Sequence, residues 1–343
     1  GDWTQASGAS VDATWELSTA NIPDPTITKP DEHFVVKTYS GTGSTQTITT
    51  GLDADFIWVK RRDSSNYHIL ANTISGANNY LVANNTDAES VGGGSQLING
   101  LSSTGFQVGT ENAVNNSSGT YVSWNWKESA SAGFDLVAYA GDGNSGRSVS
   151  HSLGVIPELM IIKRRTNTDP WAVYHKDMAA DAYVLLDQDV GKATTKSYYS
   201  GTRPTSSVFT VGDNNGTNGT SNNYFAYLFS SVVGFSKIGA YEGVGGTDGP
   251  YVDVGFRPSY VLIKNVDSDS RWWITKTAQL PGYNAYAPAL FPNNDNAETN
   301  ESSIDLLSNG FKIRNNGSYT NENGSTHIYL AFAESPFKYA NAR

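Results

Sequence analysis

The chain has 343 residues, a formal net charge of −10 and no cysteine. A nucleic-acid partner is disfavoured because it needs clustered lysine and arginine, and the lack of thiols excludes disulfide scaffolds, thiolate zinc sites and thiol nucleophiles. Aromatic residues make up 12% of the chain and charged residues only 16%, with 34 glycines. This composition predicts an all-β protein of short strands and polar loops, and no apolar stretch approaches the roughly 18 residues of a membrane-spanning helix.

Residues 1–30 show no sustained hydrophobic period. Pro23, Pro25 and Pro30 fall close together there, and proline is excluded from helix interiors and central strands. The segment is therefore predicted to be an extended arm or linker. Its two large apolar groups, Trp3 and Trp15, are predicted to dock on the first repeat or on a neighbouring subunit.

A short apolar run that ends at a lysine occurs three times, about 100 residues apart. The copies are Phe56–Arg62, Pro157–Arg165 and Pro258–Asn265. Each run has the length of a strand and is apolar at every position, which predicts a strand that is buried on both faces. The closing lysines, Lys60, Lys163 and Lys264, are predicted to mark the points where the strands meet water.

Before each run, a strand ends in a tyrosine and is followed by Gly-x-Gly. The tyrosines are Tyr39, Tyr139 and Tyr241. Because glycine supplies the positive φ of a tight turn, the pattern predicts a hairpin. Residues Gly141–Gly146 also spell G-x-G-x-x-G. However, a strand pattern follows them instead of the helix that a dinucleotide site requires, so they too predict a turn and no cofactor.

After each run come a strand at Gly105–Gly109, Val208–Gly212 or Gly310–Arg314, a loop rich in Asn, Gly and Ser, and a closing strand. The loops are predicted to be hairpin connections at one end of a sandwich. In the closing strands large apolar side chains alternate with smaller or more polar ones, which predicts a half-buried antiparallel strand. The apolar rows are Val122/Trp124/Trp126, Phe225/Tyr227/Phe229 and Ile328/Leu330/Phe332.

These patterns predict three tandem β-sandwich (jelly-roll-like) repeats of about 100 residues, preceded by an extended N-terminal arm. The predicted boundaries are 1–30 for the arm, 31–132 for repeat 1, 133–233 for repeat 2 and 234–343 for repeat 3. Almost no spacer separates repeats 2 and 3 in SSVVGFSKIG. We therefore expect docked domains instead of freely jointed ones.

No motif of a catalytic or metal site is recognised. The G-x-S-x-G, phosphate-loop and H-E-x-x-H patterns are absent from the sequence, and the five histidines have no metal-ligand spacing. His327 takes the position of Tyr121 and Tyr224, so we interpret it as replacing a partly exposed aromatic residue. Two groups of acidic residues are interpreted as solvated loop carboxylates, with a structural calcium site as the alternative. They are Asp181, Asp187 and Asp189, and Glu298, Glu301 and Asp305.

Residues that recur in all three copies are expected to build the fold, whereas residues private to one copy are expected to carry function. By that criterion Trp58, Trp124, Trp126 and Trp171 are scaffold. Exposed aromatic rings beside Asn and Asp are typical of carbohydrate-binding surfaces. The alternative is that such rings pin their own loops or an inter-domain seam. The candidate ligand-contact residues are Trp272, Trp273, Tyr283, Tyr286, Tyr319, Tyr198 and Tyr199.

Several motifs together resemble a known family. They are Trp15–Ser18 (WELS), the repeated Tyr-x-Gly-x-Gly, the stretch Gly255–Lys264, Ser308–Lys312 (SNGFK) and the closing Ile328–Phe337. They resemble the repeated domain of unknown function in structural proteins of marine tailed phages, labelled tail or tail-fibre proteins. In repeat 1, Leu52–Asp55 (LDAD) departs from this pattern. The resemblance implies a virion component at the tail or host-facing surface, one β-sandwich per repeat, and no catalytic residues to transfer.

Three functions are therefore considered. The first is host-surface attachment by a non-catalytic virion protein that recognises a glycan. The second is an assembly or decoration protein whose loops contact other virion subunits, and the third is a glycan-cleaving enzyme. Expected partners are other virion subunits, a host-surface glycan and further copies of the chain in a homotrimer. Neither nucleic acid nor membrane insertion is expected, and the expected location is the virion surface or the extracellular space.

Overall fold

A computed structural model describes residues 24–339 except 94, 270–272, 279–283 and 285, and, within strands and helices, it leaves out the side chains of 286, 287, 301–303 and 339. The all-β class is confirmed: antiparallel sheets dominate the chain, and each α-helix among the described residues has only four residues. None of these helices is long and apolar enough to cross a membrane. Trp3 and Trp15, which are predicted to dock on repeat 1 or on a neighbouring subunit, lie outside the described residues, as does most of the predicted arm.

The names repeat 1, repeat 2 and repeat 3 are kept for the predicted residue ranges. Repeat 1, residues 31–132, forms two antiparallel sheets. Its elements are β1 (Phe34–Ser40), β2 (Gln46–Thr49), β3 (Phe56–Arg61), β4 (His68–Asn72), β5 (Leu81–Val82), β6 (Ile98–Ser102), β7 (Gly105–Val108), α1 (Asn112–Asn115) and β8 (Thr120–Trp126). The strand order is β1-β8-β3-β4-β5 in the sheet that contains the lysine-ended strand, which we call the inner sheet. The outer sheet has the order β2-β7-β6.

Repeats 2 and 3 have corresponding inner and outer sheets. Repeat 2 contains β9 (Phe134–Ala140), β10 (Arg147–Ser150), β11 (Leu159–Arg164), β12 (Ala172–His175), β13 (Ala182–Leu185), β14 (Ala193–Thr194), α2 (Lys196–Tyr199), β15 (Val208–Val211), α3 (Asn215–Asn218) and β16 (Asn223–Phe229). Repeat 3 contains β17 (Ser236–Glu242), β18 (Tyr251–Asp253), β19 (Phe256–Asn265), β20 (Ile274–Thr277), β21 (Tyr286–Ala289), β22 (Thr299–Leu307), β23 (Gly310–Ile313), α4 (Ser318–Asn321) and β24 (Thr326–Pro336). The inner sheets are β14-β13-β12-β11-β16-β9 and β17-β24-β19-β20, and the outer sheets are β10-β15 and β18-β23-β22-β21.

One face of each inner sheet packs on its own outer sheet, and the other faces a core shared by all three repeats. In β8, for example, Trp124 and Trp126 belong to the shared core, whereas Tyr121 belongs to the core of repeat 1. The closing strands are therefore buried on both faces, and the prediction of half-buried strands is wrong. The alternation of large apolar and smaller side chains identifies the two faces of a strand correctly. It does not show that the face turned away from the outer sheet is covered by another repeat.

The shared core is centred on three equivalent aromatic residues, one from each closing strand. The ring centroids of Trp126 and Phe229 are 6.4 Å apart, those of Trp126 and Phe332 are 5.9 Å apart, and those of Phe229 and Phe332 are 6.1 Å apart. Each ring thus contacts the other two, so the three inner sheets close into a ring around this point. Trp58, Trp124 and Trp171 also lie in the shared core and are buried, as expected for scaffold residues. From the arm, Ile27 packs into the same core.

The closing lysines do not meet water. Lys60, Lys163 and Lys264 are all fully buried. The ammonium of Lys60 donates to the carbonyl of Asp295 in repeat 3 at 3.3 Å, and that of Lys163 donates to the carbonyl of Thr86 in repeat 1 at 2.8 Å. Burial lowers the pKa of both Lys60 and Lys163 to about 8. The prediction of exposed lysines is wrong because the strand ends lie at junctions between repeats, where backbone carbonyls replace water.

The three junctions use the same backbone hydrogen bond. The carbonyl two residues after each lysine accepts an N–H from the next repeat around the ring: Glu298 N–H donates to Arg62 O at 2.7 Å, Glu89 N–H to Arg165 O at 2.8 Å, and Lys192 N–H to Val266 O at 2.7 Å. Ion pairs accompany them, Arg62 with Glu298, Arg165 with Glu89, and Lys192 with Asp267. The junctions run from repeat 3 to 1, from 1 to 2 and from 2 to 3, which closes the cycle.

The Gly-x-Gly loops join the two sheets of a repeat and are not hairpins. Strand β1 pairs with β8 in the inner sheet, whereas β2 pairs with β7 in the outer sheet. A Cβ on Gly41 would lie 2.0 Å from the carbonyl oxygen of Asn116, and Gly43 has a φ of +72°. Both glycines are needed, the first for close approach and the second for its conformation. The Asn-rich loops, too, cross between sheets, because β7 and β8 lie in different ones.

We predict that truncating the central ring contact weakens the whole chain. Trp126→Ala should lower the free energy of unfolding by about 3–5 kcal/mol, and unfolding should remain a single transition because all three repeats share the core. Trp126→Phe, which installs the residue found in repeats 2 and 3, is the matched control and should cost only about 1–2 kcal/mol. Urea unfolding followed by tryptophan fluorescence and by circular dichroism measures both. Separate transitions for single repeats would contradict the shared-core account.

Two buried histidines should make folding sensitive to acid. His68 and His175 are fully buried, and burial lowers the pKa of His68 well below its usual value and that of His175 to about 3. Below pH 6.5 the unfolded chain binds protons that the folded chain does not. The stability present at neutral pH is therefore lost as the pH falls toward the folded pKa.

His175 pairs with Leu159 as Asn72 pairs with Phe56, so His175→Asn installs the residue of repeat 1. We predict that below about pH 6.5 the free energy of unfolding of the parent chain falls more steeply than that of this variant, by about 1.4 kcal/mol per pH unit. Urea unfolding at several values between about pH 7.5 and about pH 5 measures the two slopes. Parallel slopes would show that His175 does not carry this sensitivity.

Candidate functional site

A cavity of about 460 Å³ opens at one corner of repeat 1, and we call it the repeat 1 pocket. It lies where β4 and β5 meet the segment that leads into β6 and the start of α1. Its lining combines an apolar floor, two tyrosines and a polar rim, which is the make-up of small-molecule sites in proteins. The lining residues are Asn66, Tyr67, Ile69, Tyr80, Val82, Asn85, Asp87, Ala88, Ser90, Gly93, Gln96, Leu97, Glu111 and Ala113.

The two tyrosines of the pocket differ in exposure. Tyr67 immediately precedes β4 and is 52% exposed. Tyr80 is partly buried and packs on the apolar core of repeat 1. Its backbone is fixed by a two-way bridge with Ser90, with N–H···O distances of 3.1 and 3.0 Å. A rigid ring and an exposed ring thus stand at the same opening.

Neighbouring repeats hold the rim in place. The N–H of Asn66 donates to the carbonyl of Asp295 in repeat 3 at 2.8 Å. The indole N–H of Trp171 in repeat 2 donates to the carbonyl of Asn85 at 3.2 Å, and the side chain of Asn85 donates to Asp87 at 2.6 Å. The rim is therefore preorganised by the junctions, which lowers the entropic cost of binding.

The same corner is filled in repeat 2. Gly109 N–H donates to Leu97 O at 2.7 Å and the equivalent Gly212 N–H donates to Tyr198 O at 2.9 Å, so Leu97 and Tyr198 are counterparts. Tyr183, the counterpart of Tyr80, stacks on Tyr198 with ring centroids 4.1 Å apart and planes at 20°. The repeat 1 pocket is thus the space that a tyrosine ring occupies in repeat 2.

The start of α1 also differs between the repeats. In repeat 2 the side chain of Asn214 caps α3 by accepting from Gly216 N–H at 2.7 Å. Its counterpart in repeat 1, Glu111, makes no capping hydrogen bond with its side chain. The carboxylate of Glu111 is exposed and lines the pocket. The side chain at this position caps the helix in repeat 2, whereas in repeat 1 the carboxylate of Glu111 can contact a ligand in the pocket.

The predicted ligand-contact residues occupy other places. Tyr198 and Tyr199 are buried in repeat 2, and Trp273 is buried at the junction, where its indole N–H donates to Leu185 O at 2.9 Å. The expectation that these three are exposed is wrong, because the loops that carry them pack into cores and junctions. Tyr319 is partly buried, with its ring 6.2 Å from that of Phe291.

The remaining candidates are less fully described. Tyr286 lies in β21, where only its backbone is described, and Trp272 and Tyr283 lie outside the described residues. Tyr67 and Tyr80 are not among the residues selected from sequence. The signal that identifies their corner is a difference between repeats, Leu97 against Tyr198, at a position in irregular chain.

The acidic residues considered for calcium form no metal-binding group among the described side chains, and the side chain of Glu301 lies outside them. In the part of the chain that the structure describes, no three His, Cys, Asp or Glu side chains are placed to hold a metal ion. Asp187 accepts from Trp171 N–H at 2.8 Å, and Asp305 pairs with Arg314 at 2.5 Å. His327 stacks on Tyr241 at 5.0 Å as Tyr121 stacks on Tyr39, which confirms that it replaces an aromatic residue, although it is buried instead of partly exposed.

A second cavity, of about 430 Å³, lies between residues 28–36 and residues 333–336. It adjoins the arm, whose residues 1–23 are outside the described part of the chain. We assign no binding role to it.

Comparison with known protein families identifies the family of the chain. A family model described as a domain of unknown function, DUF7483, matches residues 29–336. Neither the curated proteins nor the solved structures that were compared include a match to the chain. The family model extends over all three repeats, in agreement with the shared core.

The difference between Leu97 and Tyr198 allows a stability prediction. Tyr198→Leu should open the filled corner of repeat 2 and lower the free energy of unfolding by about 1–3 kcal/mol, because it leaves a cavity beside Tyr183. Leu97→Tyr, the reciprocal change, should alter stability by less than about 1 kcal/mol because the ring enters existing space. Urea unfolding of the two variants measures both. A larger cost for Leu97→Tyr than for Tyr198→Leu would contradict the assignment of the two corners.

Proposed function

The chain belongs to the DUF7483 family, and we propose that it is a non-catalytic attachment protein of a virion surface. Its repeat 1 pocket binds a glycan of the host surface. The observation that carries this proposal is the open corner beside Tyr80, which the counterpart ring of Tyr198 fills in repeat 2. Sugars are bound by aromatic rings that pack on their apolar faces and by amides and carboxylates that hydrogen-bond their hydroxyls. The pocket offers both kinds of group.

The virion setting rests on the resemblance to phage tail and tail-fibre proteins. We propose accordingly that each repeat is one β-sandwich, that the three work as one rigid unit on a tail, fibre or other appendage, and that other virion subunits are partners. The shared core and the closed cycle of junctions support a rigid unit. A homotrimer of the chain and an extracellular location stay predictions.

A second proposal is that the chain is an assembly or decoration protein. A pair of adjacent exposed aliphatic side chains supports it, because contiguous exposed apolar surface can mark a protein contact. Val155 and Ile156 are adjacent in sequence and are 48% and 56% exposed. In that case these residues, and not the repeat 1 pocket, contact other virion subunits.

We predict that the purified chain binds members of a host-derived glycan array and that Leu97→Tyr abolishes this binding. The added ring occupies the ligand's place as Tyr198 does in repeat 2. Isothermal titration with the best array member measures affinity, with Tyr198→Leu as the matched control that leaves repeat 1 intact. Retained binding in Leu97→Tyr would exclude the pocket. Release of reducing sugar during the assay would contradict a non-catalytic role and favour a glycan-cleaving enzyme.

A further inference from the structure

The pocket also indicates which ligands it selects. We infer, building on the proposed function, that the repeat 1 pocket takes a six-membered ring that is neutral or positively charged, held face to face with Tyr80. Rings that carry an acidic group, such as uronic or sialic acids, are disfavoured. Two independent features of the described residues support this inference: the shape of the filled corner in repeat 2 and the charge of the rim.

The shape follows from the counterpart in repeat 2. There a six-membered ring already occupies the corner, with the ring of Tyr198 nearly parallel to that of Tyr183 at 4.1 Å. The two rings are stacked face to face, and this arrangement suits an aromatic ring or the apolar face of a pyranose. Tyr80 presents the same ring in repeat 1, packed from behind by the core of that repeat. Tyr198 therefore serves as a template for the pose of the ligand.

The charge follows from the rim. Among the lining residues the charged side chains are Asp87 and Glu111, both exposed carboxylates. A ligand carboxylate would be repelled by them, whereas an ammonium or hydroxyl would be attracted. Selectivity against an alternative ligand commonly uses such a repulsive element.

Nearby cations offset these carboxylates only in part. Arg165 pairs with Glu89 at 2.8 Å, and Arg62 pairs with Glu298 at 2.8 Å. Lys163 is buried and donates to the carbonyl of Thr86 at 2.8 Å. The two arginines are neutralised by their partner carboxylates. The buried ammonium of Lys163 attracts the carboxylate of Asp87, so one cation faces two carboxylates and the rim keeps a net negative charge.

The test uses matched ring compounds on the full chain. One series is methyl glucoside, glucosamine and glucuronic acid, and the other is phenol, benzylamine and benzoate. Ligand-observed NMR ranks the affinities of these compounds. A compound whose binding is lost in the Leu97→Tyr variant is assigned to the repeat 1 pocket. We expect each acid to bind at least about tenfold more weakly than the neutral and amine members of its series, since a like-charge contact costs more than about 1.4 kcal/mol.

Variants then separate charge from stacking. Asp87→Asn/Glu111→Gln should reduce the discrimination against acids to less than about threefold, whereas Asp213→Asn, at the matching corner of repeat 2, should leave it unchanged. Tyr80→Phe keeps the ring face and should bind within about threefold of the parent. Tyr80→Leu should lose at least about tenfold.

The outcomes distinguish the inference from the function on which it rests. Equal or tighter binding of the acids, an unchanged preference in the double variant, or no binding of any ring compound overturns the inference. If the ring compounds bind in the expected order but no host glycan binds, the attachment function is overturned and the ring selectivity stands. If glycans bind and the preferred ones are acidic, the attachment function stands and the inference fails.

Discussion

The mutual contact of Trp126, Phe229 and Phe332 is the constraint on which the rest of the structure depends. Because each ring contacts the other two, the face of every inner sheet that does not pack on its own outer sheet is buried against the neighbouring repeats. The ends of the lysine-bearing strands then fall at junctions, where an ammonium group must find acceptors other than water. Backbone carbonyls of the adjacent repeat supply them. The same contacts fix loops such as residues 83–90, which form part of the rim of the pocket.

Strand positions could be predicted from sequence because they depend on local patterns. Apolar runs and two-residue alternation identified β3, β8 and their counterparts, and the all-β class followed from them. What lies against a strand is set by contacts between residues about 100 positions apart, and local patterns do not contain that information. A lysine after an apolar run has the same appearance whether it ends at solvent or at a carbonyl. Likewise, Gly-x-Gly meets the steric needs of a hairpin and of a loop between two sheets equally well.

The candidate site was missed for a related reason. The criterion that function is private to one copy selects additional aromatic rings. The informative difference was a smaller side chain, Leu97, opposite a tyrosine in repeat 2. It lies in a stretch whose irregular sequence gives no register between repeats. Backbone hydrogen bonds from Gly109 and Gly212 supply that register, and these bonds exist only in the folded chain.

The difference in size between the counterparts Leu97 and Tyr198 has a consequence for the effect of mutations on the chain. One corner is occupied by its own side chain and the other is vacant, although the surrounding scaffold is the same. The junctions with the neighbouring repeats hold the surrounding strands in place. A substitution at this single position therefore changes whether the corner is filled without moving those strands. A single substitution at this position can therefore open or close the corner, while the shared core and the junctions keep the architecture unchanged.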